Sequence, residues 1–184
     1  FPTCGGRIFG PSTAGEPQLG EVVLELLRRA GYAPILPEGF DTLCCGQMLA
    51  SKGMAYEADR MSSTLEAALL KASDNGRIPI VMDASACTAR MQKFLTGRLK
   101  IHDFHEFAHD ALLPRLMITK QAEPVALHVN CSVKRTGADA KLRALLKACA
   151  EEVIEPVAVT CCGFGGDRGF VVPELNQHAL RHLH

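Results

Sequence analysis

The stretch Leu43-Cys44-Cys45-Gly46 recurs later in the chain as Thr160-Cys161-Cys162-Gly163, and this repeated cysteine doublet decides the interpretation of the fold. Adjacent cysteines seldom bridge each other, because the geometry of a disulfide is hard to reach across one peptide bond. Two neighbouring thiolates are better suited to holding a soft cation or a cluster. The doublets therefore predict metal or cluster binding, with disulfides and inert buried thiols as the alternatives.

A single cysteine precedes each doublet, and the residues around it also repeat. Cys4 is followed six positions later by Gly10, and Cys131 is followed six positions later by Gly137. A helical pattern and then a short β-like run lead from there to each Cys-Cys-Gly, which indicates an internal repeat. These elements are predicted over residues 19–30 and 32–36 in the first half, and over 138–150 and 153–159 in the second.

The elements after the first doublet complete a strand–helix alternation, which predicts an α/β fold with parallel sheets. We expect two pseudo-symmetric βαβ halves of Rossmann-like type, with the cysteines at the carboxyl ends of the strands. In such sheets the loops after those ends converge on one crevice. The predicted elements are a helix over 57–71, a strand over 78–82 that delivers Cys87, a joining helix over 102–116 and a strand over 125–129.

The repeat also predicts how the chain is divided. Residues 1–100 form the first half, residues 101–120 a connecting helix and residues 121–184 the second half. Compared with the second half, the first has only three residues before Cys4, so we expect its first strand to be cut short. A partner for Cys161 equivalent to Cys87 falls beyond His184, which leaves the last ligand of the second site open.

Composition excludes several classes of protein. Apolar residues make up 47% of the chain and charged residues 22%, and the 20 basic and 20 acidic side chains cancel. This balance argues against a nucleic-acid-binding protein. No apolar run approaches the ~18 residues of a membrane span, and no signal-peptide pattern is visible. No Ser/His/Asp set, paired-carboxylate motif or P-loop is present. We expect a cytoplasmic protein, either free or peripheral to the membrane.

Glycines next to the cysteines are the other candidate site residues. Gly46, Gly163, Gly165 and Gly166 let backbone N–H groups approach an anionic cluster, with a plain tight turn as the alternative. Cys149 interrupts the repeat and is interpreted as a small buried apolar residue. The histidines of the joining segment, which fall on one face of the predicted helix, are interpreted as part of a solvated surface: His102, His105 and His109.

These residues resemble a known family. The set Cys4, Cys44-Cys45-Gly46 and Cys87, repeated as Cys131 and Cys161-Cys162-Gly163, resembles the paired cysteine-rich CCG domains. Such pairs occur in the cysteine-rich component of heterodisulfide reductase, the glycolate oxidase iron–sulfur subunit and lactate-utilisation proteins. The run from Cys161 to Phe170, with Pro173-Glu174-Leu175, is most similar to one branch. In that branch the pair forms the C-terminal part of an FAD-linked D-lactate or 2-hydroxy-acid dehydrogenase.

The resemblance implies a cofactor and a role. The family's full site ends in Cys-x-x-Cys, whereas the position three before Cys87 is Ala84. Four thiolates then remain in the first half, which suit an ordinary [4Fe–4S] cluster and equally a structural Zn²⁺. The implied role is electron transfer, from an upstream FAD domain to a quinone or a carrier protein. A zinc-binding structural or assembly module and a thiol–disulfide redox protein are the alternatives.

Overall fold

The structure is a computed structural model that describes residues 1–3 and 15–183. Helices alternate with short strands along the described chain. The first part contains α1 (Leu19–Arg29), α2 (Gln47–Ser51), α3 (Ala55–Ala72), β1 (Ile80–Met82), α4 (Ser85–Leu95), β2 (Ile101–Asp103) and α5 (Phe104–Phe107). A π-helical turn (Ala108–Leu112) and a 3₁₀ turn (Leu113–Arg115) continue α5. The second part contains β3 (Val125–Ala126), α6 (Cys131–Thr136), α7 (Asp139–Cys149), β4 (Val153–Ile154), α8 (Arg168–Val171) and α9 (Pro173–Leu180).

The strands form two small parallel sheets. β1 pairs with β2, with Ile80 opposite Ile101 and Met82 opposite Asp103. β3 pairs with β4, starting from Val125 opposite Val153. Parallel neighbours require a crossover connection, and α4 supplies it between β1 and β2 while α6 and α7 supply it between β3 and β4. This alternation agrees with the predicted α/β class.

The main hydrophobic core lies around β1 and contains two of the predicted ligands. Leu65 of α3, Met82 of β1 and Met91 of α4 are fully buried there. Cys45 and Cys87 belong to the same cluster, at 3% and 8% exposure. Packing of α3 and α4 around β1 therefore positions Cys45 and Cys87 inside the core rather than on the surface.

The chain start lies alongside β1. The amino group of Phe1 donates to the Val81 carbonyl, and the backbone N–H of Thr3 donates to Asp83 Oδ1 at 2.8 Å. Thr3 is buried, at 1% exposure. The residue that precedes Cys4 is therefore fixed at the carboxyl end of β1, where the chain turns into α4.

Two predicted strands differ from the structure. Residues 32–36 contain no strand, and the run over 153–159 is a strand only at Val153–Ile154. Prolines explain the difference, because proline lacks the N–H that a strand ladder needs. Pro34 lies inside the first run and Pro37 directly follows it, and Pro156 lies inside the second, two residues after its strand ends.

The predicted connecting helix is also shorter than expected. Residues 101–103 form β2, and helical structure runs only from Phe104 to Arg115. The alternating burial of Ile101, His102 and Asp103 has the period of a strand, which explains their pairing with β1. His102 therefore lies on a strand, while His105 is buried and its Nδ1 lies 2.6 Å from Asp103 Oδ1. The interpretation of a shared, solvated helix face was wrong for these two histidines.

Within the described residues no helix is both long and apolar enough to cross a membrane.

Candidate metal centre

The first Cys-Cys-Gly turn is held against α3 by a close approach that only glycine permits. Gly46 has φ +77°, and a Cβ built on it would lie 2.3 Å from the carbonyl oxygen of Ala58. Its backbone N–H donates to Cys44 Sγ at 3.3 Å. The Cys44 thiol therefore accepts a hydrogen bond from the backbone of the turn, and the chain enters α2 directly after Gly46.

Cys87 approaches this turn from the other side of the core. It lies in the first turn of α4, directly after β1, and α4 packs against both α2 and α3. The side chains of Cys44 and Cys87 both interact with the Cys45 thiol. Cys45 and Cys87 also belong to the same buried cluster, so three of the predicted ligands are neighbours.

The surroundings of Cys45 favour the neutral thiol when no metal is bound. Its hydrogen bond with Cys44, above all, raises the pKa of the Cys45 thiol to about 11, and burial acts in the same direction. The thiol of Cys87 and the backbone N–H of Gln47 oppose this rise in pKa. Three crowded thiols cannot all ionise without a compensating positive charge, and a bound cation supplies one.

The described residues do not by themselves form a complete metal site. Among residues 1–3 and 15–183, no group of three or more His, Cys, Asp or Glu side chains is arranged to hold a metal ion. Cys4, the predicted fourth thiolate, lies outside the described residues. Its neighbour Thr3 is anchored to Asp83, four residues before Cys87.

The second Cys-Cys-Gly turn has the same local geometry as the first. Gly163 has φ +72°, and its N–H donates to Cys161 Sγ at 3.3 Å. A Cβ on Gly163 would lie 2.3 Å from the carbonyl oxygen of Leu175. In both turns the contacted carbonyl belongs to the residue twelve positions after the glycine, on the second helix after the turn.

The predicted ligands of the second half are more accessible than the described cysteines of the first. Cys131 and Cys161 are exposed and Cys162 is half-buried. Cys131 is the first residue of α6, where the Asn130 side chain accepts the backbone N–H groups of Ser132 and Val133, both at 3.0 Å. α6 packs against α4, so the helices that carry Cys87 and Cys131 are neighbours.

The glycine-rich loop after the second doublet contacts the helix after the first. A Cβ on Gly166, which has φ +82°, would lie 2.7 Å from the Ser51 hydroxyl. Next to it, Asp167 forms an ion pair with Lys52, with Nζ and Oδ2 2.7 Å apart. Gly165 also has a positive φ, +52°. Gly165 and Gly166, predicted to lie near a cluster, are thus part of a loop that packs beside the first turn.

Sequence reasoning missed two side chains that hold the turns. The Ser62 hydroxyl donates to the Cys45 carbonyl at 2.9 Å, and the Asn176 amide donates to the Cys162 carbonyl at 2.8 Å. These donors differ in residue type and in distance along the chain from the doublet, 17 and 14 residues. The repeat therefore contained no signal for them. Cys149, at the end of α7, is partly rather than fully buried.

A family comparison identifies the class of this chain. The model of the CCG cysteine-rich domain matches residues 1–92 and 125–183, which include every cysteine of the two predicted sites. The chain belongs to this family of cysteine-rich domains. No curated protein and no solved structure matches it.

Family membership defines the function at a coarse level. A CCG cysteine-rich domain points to an iron–sulfur or other metal-binding module for electron transfer, and such domains occur in redox enzymes. The unmatched residues, 93–124, include β2, α5 and the turns that follow.

Proposed function

We propose that this chain is the iron–sulfur electron-transfer region of a flavin-linked 2-hydroxy-acid oxidoreductase, of the D-lactate or glycolate type. The observation that carries the proposal is the interaction of the Cys45 thiol with both Cys44 and Cys87. Cys45 and Cys87 come from two separate segments and meet in the hydrophobic core around β1, and Cys44 is half-buried beside them. Thiols gathered in this way are typical ligands of soft metals and clusters.

In the first half, Cys4, Cys44, Cys45 and Cys87 would hold a [4Fe–4S] cluster. The chemistry of the donors present fits such a group, because Cys44 and Cys87 both interact with the Cys45 thiol and backbone N–H groups point at two of the three sulfurs. The N–H of Gly46 donates to Cys44, and that of Gln47 donates to Cys45. When bound, the cluster supplies one-electron transfer, which no side chain of this region provides by itself.

In the second half, Cys131, Cys161 and Cys162 would form the equivalent site. The matching hydrogen bonds and φ angles of Gly46 and Gly163 support two pseudo-symmetric, Rossmann-like halves with ligands at the strand ends. The family match in two segments supports the same division. The packing of α4 on α6, together with the Lys52–Asp167 ion pair, brings the two thiol-bearing regions side by side.

We propose the following role for the chain in the whole enzyme. An upstream FAD domain would oxidise the 2-hydroxy acid, and this region would pass the electrons to a quinone or a carrier protein. The likeness of the run from Cys161 to Phe170 to one branch of the family supports the choice of substrate class. The cysteines would bind and position the cluster, and the apolar packing of Leu65, Met82 and Met91 around Cys45 and Cys87 would keep water away from these two ligands.

Metal analysis of anaerobically purified full-length protein tests the proposal. We expect brown protein with iron and acid-labile sulfide in similar amounts, and an EPR signal that appears when dithionite is added. Colourless protein with stoichiometric zinc would assign the thiolates to a structural zinc site instead. Metal-free protein that cycles between thiols and a disulfide in redox titrations would assign them to thiol–disulfide chemistry.

A further inference from the structure

One peptide unit in each cysteine turn is held at both ends. In the first turn it is the peptide between Cys45 and Gly46. Its carbonyl accepts the Ser62 hydroxyl at 2.9 Å, and its N–H donates to Cys44 Sγ at 3.3 Å. A trans peptide directs its C=O and N–H to opposite sides, so a donor that fixes the oxygen also fixes the direction of the N–H.

The second turn repeats this arrangement with a different donor. The Asn176 amide donates to the Cys162 carbonyl at 2.8 Å, and the N–H of the same peptide, from Gly163, donates to Cys161 Sγ at 3.3 Å. Ser62 and Asn176 do not occupy equivalent positions after their doublets. In both halves an unrelated side chain therefore donates to the carbonyl of the second cysteine of the doublet. This repetition indicates that the turn requires the hydrogen bond rather than a particular donor.

The surroundings of Ser62 and Asn176 limit the orientations that their side chains can adopt. Ser62 is fully buried, and its Oγ lies 2.9 Å from the Cys45 carbonyl oxygen and 3.0 Å from that of Ala58, so these two acceptors share one hydroxyl proton. In the second half, a Cβ on Gly169 would lie 2.3 Å from Asn176 Oδ1, so the absence of a side chain at Gly169 makes room for the Asn176 amide.

A donor at the carbonyl oxygen also polarises the peptide and strengthens the bond that its N–H makes. Hydrogen bonds to the sulfurs are among the factors that set the reduction potential of an iron–sulfur cluster, because they stabilise the more negative, reduced state. We propose that Ser62 and Asn176 are positioning residues that set the reduction potentials of the first and second sites. Each acts through the peptide whose N–H reaches Cys44 or Cys161. The inference rests on the proposed iron–sulfur function.

The test compares single substitutions in the anaerobic full-length protein. Ser62→Ala removes the first donor, and Asn176→Asp replaces the second donor with a carboxylate of the same size, which cannot donate when ionised. We expect each variant to bind its clusters and to shift one midpoint potential to a more negative value in an EPR-monitored redox titration. Ser62→Cys, which keeps a weak donor, should give a partial shift. Gly169→Ala, which displaces the Asn176 amide, should reproduce the shift of Asn176→Asp.

Two matched controls lie on the same helices. Ser63 makes a bond to the Asp59 carbonyl at 3.0 Å that resembles the bond from Ser62 to Ala58, but it is exposed and does not contact a doublet. Gln177 is an exposed amide next to Asn176. Ser63→Ala and Gln177→Ala should leave both potentials at the wild-type values. Unchanged potentials in folded, cluster-loaded Ser62→Ala and Asn176→Asp would overturn the inference.

A second measurement does not depend on a cluster. In the metal-free protein, hydrogen exchange of the Gly46 amide should be faster in Ser62→Ala, and exchange of the Gly163 amide should be faster in Asn176→Asp. Exchange at the wild-type rate in both variants would show that these side chains do not hold the amides, and would overturn the inference. If the wild-type protein binds no iron while exchange does change, the proposed function fails, and with it the assignment of a potential. The positioning of the two amides is then still established.

Discussion

The Nζ atom of Lys52 lies 2.7 Å from Oδ2 of Asp167, so an ion pair joins the end of α2, the helix after the first cysteine turn, to the glycine-rich loop of the second half. The hydrogen bond with Lys52 holds the pKa of Asp167 below its ordinary value. A carboxyl group with a lowered pKa stabilises the folded state above its ordinary pKa, and this contribution is lost as the pH falls through the lowered value.

The ion pair predicts a pH-dependent contact between the two loops. Lys52→Met should speed hydrogen exchange of residues 163–169 a few-fold at pH 7, and the difference from wild type should vanish once Asp167 is protonated. The effect is small and sensitive to salt, because Lys52 is half exposed. Lys71→Met serves as the control, since Lys71 pairs with Glu38 on an open surface. An exchange rate independent of Lys52 at every pH would contradict this prediction.

Gly46→Ala should destabilise the protein more than Gly53→Ala. Both residues have a positive φ, +77° and +81°, which costs a non-glycine residue about 1–2 kcal/mol. A Cβ on Gly53 meets nothing within 4 Å, whereas one on Gly46 collides with the Ala58 backbone. Such overpacking adds about 1–3 kcal/mol, which urea unfolding of the metal-free protein can measure. Equal losses for the two variants would show that the turn does not pack on α3 as described.

Replacement of Cys45 should separate electron transfer from substrate oxidation. In Cys45→Ser a hard hydroxyl replaces a soft thiolate, so the first cluster should be lost and reduction of an external acceptor should fall. Single-turnover bleaching of the flavin by the 2-hydroxy acid should survive, because no hydride chemistry is assigned to this region. Cys149→Ser should leave both assays nearly unchanged. Loss of flavin bleaching in folded, flavin-loaded Cys45→Ser would refute the electron-transfer role.

Leu65→Ala should reduce stability through the core that surrounds the first site. Leu65 is fully buried and clusters with Cys45 and Cys87, so its truncation should cost about 2–5 kcal/mol. Met117 is fully exposed, and Met117→Ala should stay within about 0.5 kcal/mol of wild type. Chemical denaturation monitored by circular dichroism measures both. A loss below about 1 kcal/mol for Leu65→Ala would contradict the described packing of α3 on β1.

Helices with a clear apolar period could be predicted from the sequence, and so could the shape of the cysteine turns. The pattern over 57–71 predicted α3, which runs from Ala55 to Ala72, because its apolar residues recur once per helical turn. The shared Cys-Cys-Gly likewise predicted two similar turns, since a glycine with positive φ is a local requirement.

Features that depend on distant contacts could not be predicted. Residues 101–103 join β1 as a strand although the following residues are helical, because pairing with β1 outweighs the local pattern. Ser62 and Asn176 reach the doublets from different turns of their helices. These contacts depend on how each helix packs against its turn. The number of residues between the donor and the doublet therefore differs between the halves, and no sequence motif marks the donor.

The difference in burial between the two sets of cysteines has a practical consequence for purification. Oxygen and chelators reach exposed thiolates first, and Cys131 and Cys161 are exposed while Cys45 and Cys87 lie in the core. In the proposed iron–sulfur protein, brief contact with air should therefore strip the second site before the first and leave a half-loaded protein. Iron counts on aerated samples would then underestimate the true stoichiometry by one whole site rather than by a random fraction.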